Sequence, residues 1–312
     1  MSREVQISRE FGNMLKFASS LLVAFCHYGT YRVIDCHNGG FMYKVVESLG
    51  GYLGVALFFL LSGYGLMESD RKRHLDFVPY CKRRLSRVYL PTMLVTLIWI
   101  LVAQYLNLFD CSSVGHLLYV ILWDYDDGAL WFIRIILLLY LSFYLFSCLY
   151  RHRRREAHLV FILFVGMIYV YSHLSNGAWS ALSVPLFYVG MLLSLNKNNP
   201  VKGVILPLFA VGAFICSVSY LSGGRYLLVH AFINYAFILL FLLLLPKFSE
   251  NLPSFKHSAM LGNFSFDLYL VHNKIICVMM RSMDYIPAGL WISITLLTAY
   301  LFFILRKRIL VE

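Results

Sequence analysis

Two ionisable side chains, Lys16 and His27, stand in the first apolar stretch of the chain. In lipid such groups are costly unless they meet a partner or a polar cavity, so both are candidates for chemistry. Eleven residues at 100° each bring them within about 20° of one helical face, about 16 Å apart along the axis. That separation is comparable to an extended pantetheine arm. A cation at one end suits coenzyme phosphates, and an imidazole at the other suits proton transfer near a thioester. A snorkelling Lys and a His bonded to a neighbouring helix fit the same spacing.

Other polar groups invite the same question. Arg71-Lys72-Arg73 and Lys82-Arg83-Arg84-Leu85-Ser86-Arg87 place seven cations within seventeen residues, more than orientation in a membrane requires. They suit an anionic lipid or a phosphorylated soluble donor. Arg134 lies within an apolar segment, where it can contact donor phosphate, pair with a carboxylate or snorkel. His272 stands beside Asp267, Asn273 and Lys274 in another. Asp124, Asp126 and Asp127 read as a solvated acidic turn, with the mouth of a sugar site as the alternative. His74, His152 and His158 adjoin basic loops and are expected to be solvated.

The elements that position these groups are membrane helices. Of the 312 residues 60% are hydrophobic and only 14% charged, with a mean hydropathy of +0.71. A soluble domain is normally near half apolar and a quarter charged. Stretches of roughly 20 apolar residues predict spans near 14–34, 48–68, 88–109, 129–150, 158–173, 178–195, 201–221, 226–246, 259–281 and 287–305. A further element near 114–123 is too short to cross. The fold class is therefore all-α, a polytopic integral membrane protein of about ten transmembrane helices in a single domain, 1–312. The first apolar run carries Lys16 and His27 and no small-residue cleavage pattern, so it is read as a span rather than a signal peptide.

Loop charge supports this map. With the amino terminus inside, twenty of the 27 Lys and Arg residues fall on the cytoplasmic side and four, Arg32, Lys44, Arg225 and Arg281, on the outer side. The bias predicts a multi-pass inner or plasma membrane protein with both termini cytoplasmic. It also explains the net charge of +11 without nucleic acid. The seven Cys are scattered without a CxxC pair, so no metal site or disulfide framework is predicted.

Four segments in order carry a family resemblance. Lys16 and His27 match a basic residue, ten intervening residues and a His. Gly54-Val55-Ala56-Leu57-Phe58-Phe59-Leu60-Leu61-Ser62-Gly63-Tyr64 is close to Gly-Val-Asp-Leu-Phe-Phe-Val-Leu-Ser-Gly-Phe, although small residues there also suit helix packing. Arg83-Arg84-Leu85-Ser86-Arg87-Val88-Tyr89-Leu90-Pro91 is similar to Arg-Arg-Leu-x-Arg-Ile-Tyr-Pro. Leu261 to His272 follows Leu-Gly-x-x-Ser-x-x-Leu-Tyr-Leu-x-His, and Leu130-Trp131-Phe132-Ile133 fits a central Leu-Trp-Phe-Leu. Together they resemble the membrane-bound acyltransferase-3 family. Lys16 stands where the family has Arg, and Ala56 where it has Asp, so any role of that carboxylate is absent here or served elsewhere, with Glu68 as the candidate substitute.

The resemblance implies an O-acyltransferase that moves a short acyl group, acetyl by expectation, from cytoplasmic acyl-CoA to a sugar hydroxyl of a surface polysaccharide or exported glycoconjugate. His27 would be the general base. Lys16, Arg84 and Arg87, with Arg134 as a further candidate, would hold the coenzyme phosphates. Ser62 and Tyr64 would donate to the carbonyl oxygen, and His272 would serve acceptor binding or structure. Acyl-CoA (acetyl-CoA) is then a co-substrate, with no permanently bound cofactor and no metal. The partners are the glycan or glycolipid acceptor and membrane lipid. A transporter or flippase for glycans or lipids, and an inactive acyltransferase-like partner, are the competing readings.

Overall fold

A computed structural model describes residues 7–37, 40–125, 127–198, 201–251 and 256–309. Among them the regular structure is all helical, and no strand forms. Helix α1 (Arg9–Thr30) starts at Ser8, whose side chain accepts from the Phe11 N–H at 3.1 Å, and widens into a π-type turn at Tyr31–Asp35. Helix α2 (Phe41–Lys72) has 32 residues, about 48 Å at 1.5 Å each, and outruns a hydrocarbon core of about 30 Å. Helices α3 (Phe77–Arg84) and α4 (Leu90–Tyr105) run through a second π-type turn, Leu85–Tyr89. After the short α5 (Val114–Tyr119) come α6 (Trp131–Tyr150), α7 (Arg154–Asn176), α8 (Ala178–Ala181) and α9 (Leu186–Leu195). The chain closes with α10 (Leu206–Asn251), α11 (Ser258–Ser282) and α12 (Ala288–Ile309).

Seven stretches among the described residues are long and apolar enough to cross a membrane. One of them holds two arms. Within α10, Gly224 adopts φ 62° and ψ −153°, a conformation open to glycine because it lacks Cβ. Tyr235 then lies 3.1 Å from where a Cβ on Gly212 would sit. On a straight helix those two residues would stand about 35 Å apart. So α10 is a helical hairpin, as the separate predicted spans 201–221 and 226–246 require. Helices α1 and α11 are 22 and 25 residues long but too polar to register by hydropathy. With them the bundle accommodates ten crossings, and Val114–Asp124 remains short as expected.

Close approach fixes α1 and α2. A Cβ on Gly54 would sit 2.7 Å from the Ser19 carbonyl oxygen, so only glycine allows the two helices this spacing. Gly63 and Gly190 face one another's helices in the same way: a Cβ on either would strike the Phe187 or the Leu60 carbonyl. Much of the Gly54 to Tyr64 segment is therefore packing surface. At the other side of α1, α11 is tied to α12 by a buried fork. Arg306 donates from Nε to Asp267 Oδ1 at 2.9 Å and from Nη2 to Oδ2 at 3.1 Å. Helix α1 is thus clasped between α2 and α11, which sets what its polar side chains meet.

Candidate active site

Lys16 and His27 occupy two different cavities along α1. The first, about 510 Å³, is lined by Arg9, Lys16, Lys72, Arg83, Arg84 and Arg87. Helix α1 contributes Arg9 and Lys16 and α2 Lys72 from its last turn, while α3 and the following π-type turn contribute Arg83, Arg84 and Arg87. The Arg84 guanidinium lies 5.5 Å from the centroids of both Tyr80 and Tyr140, which holds it by cation–π attraction. No carboxylate pairs with Lys16, Arg84 or Arg87 among the described residues. The one carboxylate in the lining, Glu68, is occupied: it accepts from Lys197 Nζ at 2.9 Å and Ser194 Oγ at 2.5 Å. Crowded, unneutralised cations repel one another until a polyanion arrives.

The second cavity, about 370 Å³, holds His27. Tyr52, Trp131, Trp179, Tyr226 and Tyr269 give it aromatic walls, and Glu47, Ser183 and Thr30 give it polar groups. Neither ring nitrogen of His27 has a hydrogen-bond partner among the described residues. The alternative of a His bonded into a neighbouring helix therefore finds no support here. The His272 ring packs against it, with ring centroids 5.1 Å apart. The His272 Nδ1 lies 2.6 Å from the Tyr269 carbonyl oxygen. A carbonyl only accepts, so Nδ1 carries the hydrogen and Nε2 is left as a bare acceptor, buried and unpartnered among the described residues.

A buried ion pair fixes this end of α11. Asp127 Oδ2 accepts from Lys274 Nζ at 2.7 Å, and its Oδ1 accepts from Asn273 Nδ2 at 2.8 Å and the Ala129 N–H at 2.9 Å. The Tyr269 hydroxyl donates to the Ala129 carbonyl. The 127–130 turn is thereby clamped against the helix that carries His272. This corrects the expected solvated acidic turn: the Asp127 side chain is 2% exposed. Asp126 lies outside the described residues.

Several further expectations change. Ser62 and Tyr64 line the cation cavity, and the Tyr64 hydroxyl accepts from the Ile7 N–H at 3.1 Å. They do not stand beside His27, so the carbonyl-donor role expected of them does not match their place. Arg134 lines neither cavity. It donates from Nη1 to Asp124 at 3.0 Å and from Nη2 to Asn176 at 2.7 Å, which makes it a tie among α6, α7 and the preceding turn. His158 is not solvated but meets the Tyr188 hydroxyl at 2.8 Å, and His74 meets Asp70 at 2.9 Å. His152 is exposed as expected. Sequence reasoning overlooked Glu47, although a carboxylate beside a predicted span was a usable signal.

The acyltransferase-3 profile, described as an acyltransferase domain, matches residues 11–307. The chain belongs to the acyltransferase-3 family. No curated protein and no solved structure matches it. Membership makes it a membrane acyltransferase, and the matched region includes both cavities. The family's Asp position, Ala56, is fully buried in this acyltransferase. Glu68, named above as a substitute, is committed to Lys197 and Ser194 beside the cation cavity.

Proposed function

We propose that this acyltransferase moves a short acyl group, acetyl in the first instance, from cytoplasmic acyl-CoA to a sugar hydroxyl of an exported glycan. The observation that carries the reading is that His27, without a hydrogen-bond partner among the described residues, shares a helix with Lys16. The first lies in an aromatic cavity and the second among cations that no carboxylate neutralises among the described residues. Lys16, Arg84 and Arg87 would take the coenzyme phosphates, where charge-assisted bonds are strongest. Arg83, from the same lining, adds to that field. The pantetheine arm would follow α1 over the roughly 16 Å to His27. The excess of Lys and Arg at the cation end supports a cytoplasmic donor site.

In the reaction, His27 takes the proton of the acceptor hydroxyl as its oxygen attacks the thioester carbonyl. The tetrahedral intermediate then breaks the carbon–sulfur bond, and the departing coenzyme thiolate recovers the proton from the imidazolium. The products are ester and free thiol, with His27 neutral again. An acceptor sugar suits the second cavity: a pyranose presents apolar faces to aromatic rings and hydroxyls to Glu47 and Ser183. His272, fixed by Tyr269, supports the His27 ring from α11.

The test is acyl-CoA turnover by purified protein in detergent, with free thiol and acylated sugar measured together. Acceptor-dependent thiol release is expected. Glycan or lipid translocation in vesicles without thiol release would establish a transporter instead, and neither activity would leave an inactive partner.

A further inference from the structure

A second groove, about 540 Å³, opens between the first turns of α2 and the second arm of α10. Val45, Leu49, Val229 and Ile233 form its apolar walls, and Lys44 and Arg225 stand at its rim. Both cations are exposed, and neither has a carboxylate or hydrogen-bond partner among the described residues. They lie far from the cation cavity, since Lys44 and Lys72 are separated by most of α2, about 42 Å. Only four Lys and Arg residues are assigned to that side by loop charge, and two of them meet at this groove.

The groove adjoins the His27 cavity. Tyr226 lines both. Beside it His230 is 5% exposed, lines the groove, and leaves Nδ1 without a partner among the described residues. Its ring stacks on Tyr52 at 4.5 Å and meets the Tyr226 edge at 4.4 Å. Tyr52 in turn lines the His27 cavity. Two tyrosines and one histidine in mutual contact thus stand where a cationic, apolar groove adjoins the proposed reaction chamber.

We propose that the groove binds a lipid-linked phosphate: the phosphate between Lys44 and Arg225, the hydrocarbon chain along the apolar walls, and the attached sugar past Tyr226 toward His27. A soluble sugar would need neither the apolar walls nor the cations. The buried, unpartnered His230 Nδ1 supplies a further polar contact at the junction. The destination of the sugar rests on the acyl-transfer reading above, whereas the phosphate site does not.

The experiment places the full-length protein in zwitterionic nanodiscs and titrates polyprenyl phosphate, with native mass spectrometry as the readout. Saturable binding of one molecule is expected, with polyprenol and inorganic phosphate binding far more weakly. Each cation near a membrane surface is worth about fivefold, so K44A/R225A together weaken binding about thirtyfold. Val229→Trp fills the groove, keeps both charges and also weakens binding. Unchanged acyl-CoA binding in the variants reports an intact fold. Equal affinity for polyprenol, competition by phosphatidylglycerol at equal concentration, or unchanged affinity in K44A/R225A would each overturn the proposal. Lipid-phosphate binding without any thiol release would leave this site standing and refute acyl transfer. Acylation of a soluble sugar without lipid-phosphate binding would do the reverse.

Discussion

Replacing His27 by Gln separates chemistry from packing because of how little His27 is tied to. Its ring nitrogens have no hydrogen-bond partner among the described residues, and its ring contact is with His272. Gln keeps much of the volume and the hydrogen-bonding capacity but cannot accept a proton at neutral pH. A general base contributes about 10²–10⁴-fold, which is about 2.7–5.4 kcal/mol of barrier at 1.36 kcal/mol per tenfold. The donor site should be untouched, since Lys16 is about three helical turns, or 16 Å, away. The assay is thiol release under saturating acyl-CoA and acceptor, with acyl-CoA affinity measured separately. Expected are a fall in kcat of that size, an unchanged donor Kd and near-normal yield of folded protein. Turnover close to the unmodified enzyme would refute the base assignment and move attention to His272, whose buried Nε2 is also a bare acceptor. Loss of folded protein would refute the premise that His27 is free of structural duty.

Three other outcomes are expected. Arg84→Ala with Arg87→Ala should weaken acyl-CoA binding by about 150-fold, at about 1.5 kcal/mol for each of the two lost charged contacts. Added salt should produce a smaller shift in the same direction, measured by calorimetry, and an unchanged affinity would assign these cations to lipid or orientation. Asp267→Ala removes both carboxylate oxygens that accept from the buried Arg306 guanidinium and should cost about 3–5 kcal/mol of stability, read as a lower midpoint in thermal unfolding. Asp267→Leu with Arg306→Met should recover much of it, because the two buried charges leave together. Reporter fusions after Arg73 and Arg155 should signal cytoplasm and one at Ser222 the outside, and an external signal at Arg155 would break the ten-crossing map.

The sequence alone determined those features that arise from local composition. Apolar runs of bilayer length announce helices wherever they stand, because lipid offers the backbone no other partner. Lys16 and His27 declared a shared face because helical periodicity is a local property, and the ordered motifs announced the acyltransferase-3 family later shown over residues 11–307. The hairpin in α10 was legible as two apolar runs flanking Gly223-Gly224.

Only the tertiary structure decided what those side chains meet. Asp127 and Lys274 are 147 positions apart, and no pattern in either neighbourhood says that a turn and a helix will bury them together. Arg134 looked like a phosphate contact because its charge was visible, whereas its partners Asp124 and Asn176 are brought to it by folding. Ser62 and Tyr64 were drawn toward His27 by their place in a motif. In the bundle the close approach allowed by Gly54 and Gly63 sets the rotation of α2, and these side chains face the cation cavity. Burial in lipid is decided residue by residue, but a site is decided by which helix faces which. Helix rotation is set by packing of many distant residues at once, so that part of the protein is absent from any one segment of its sequence.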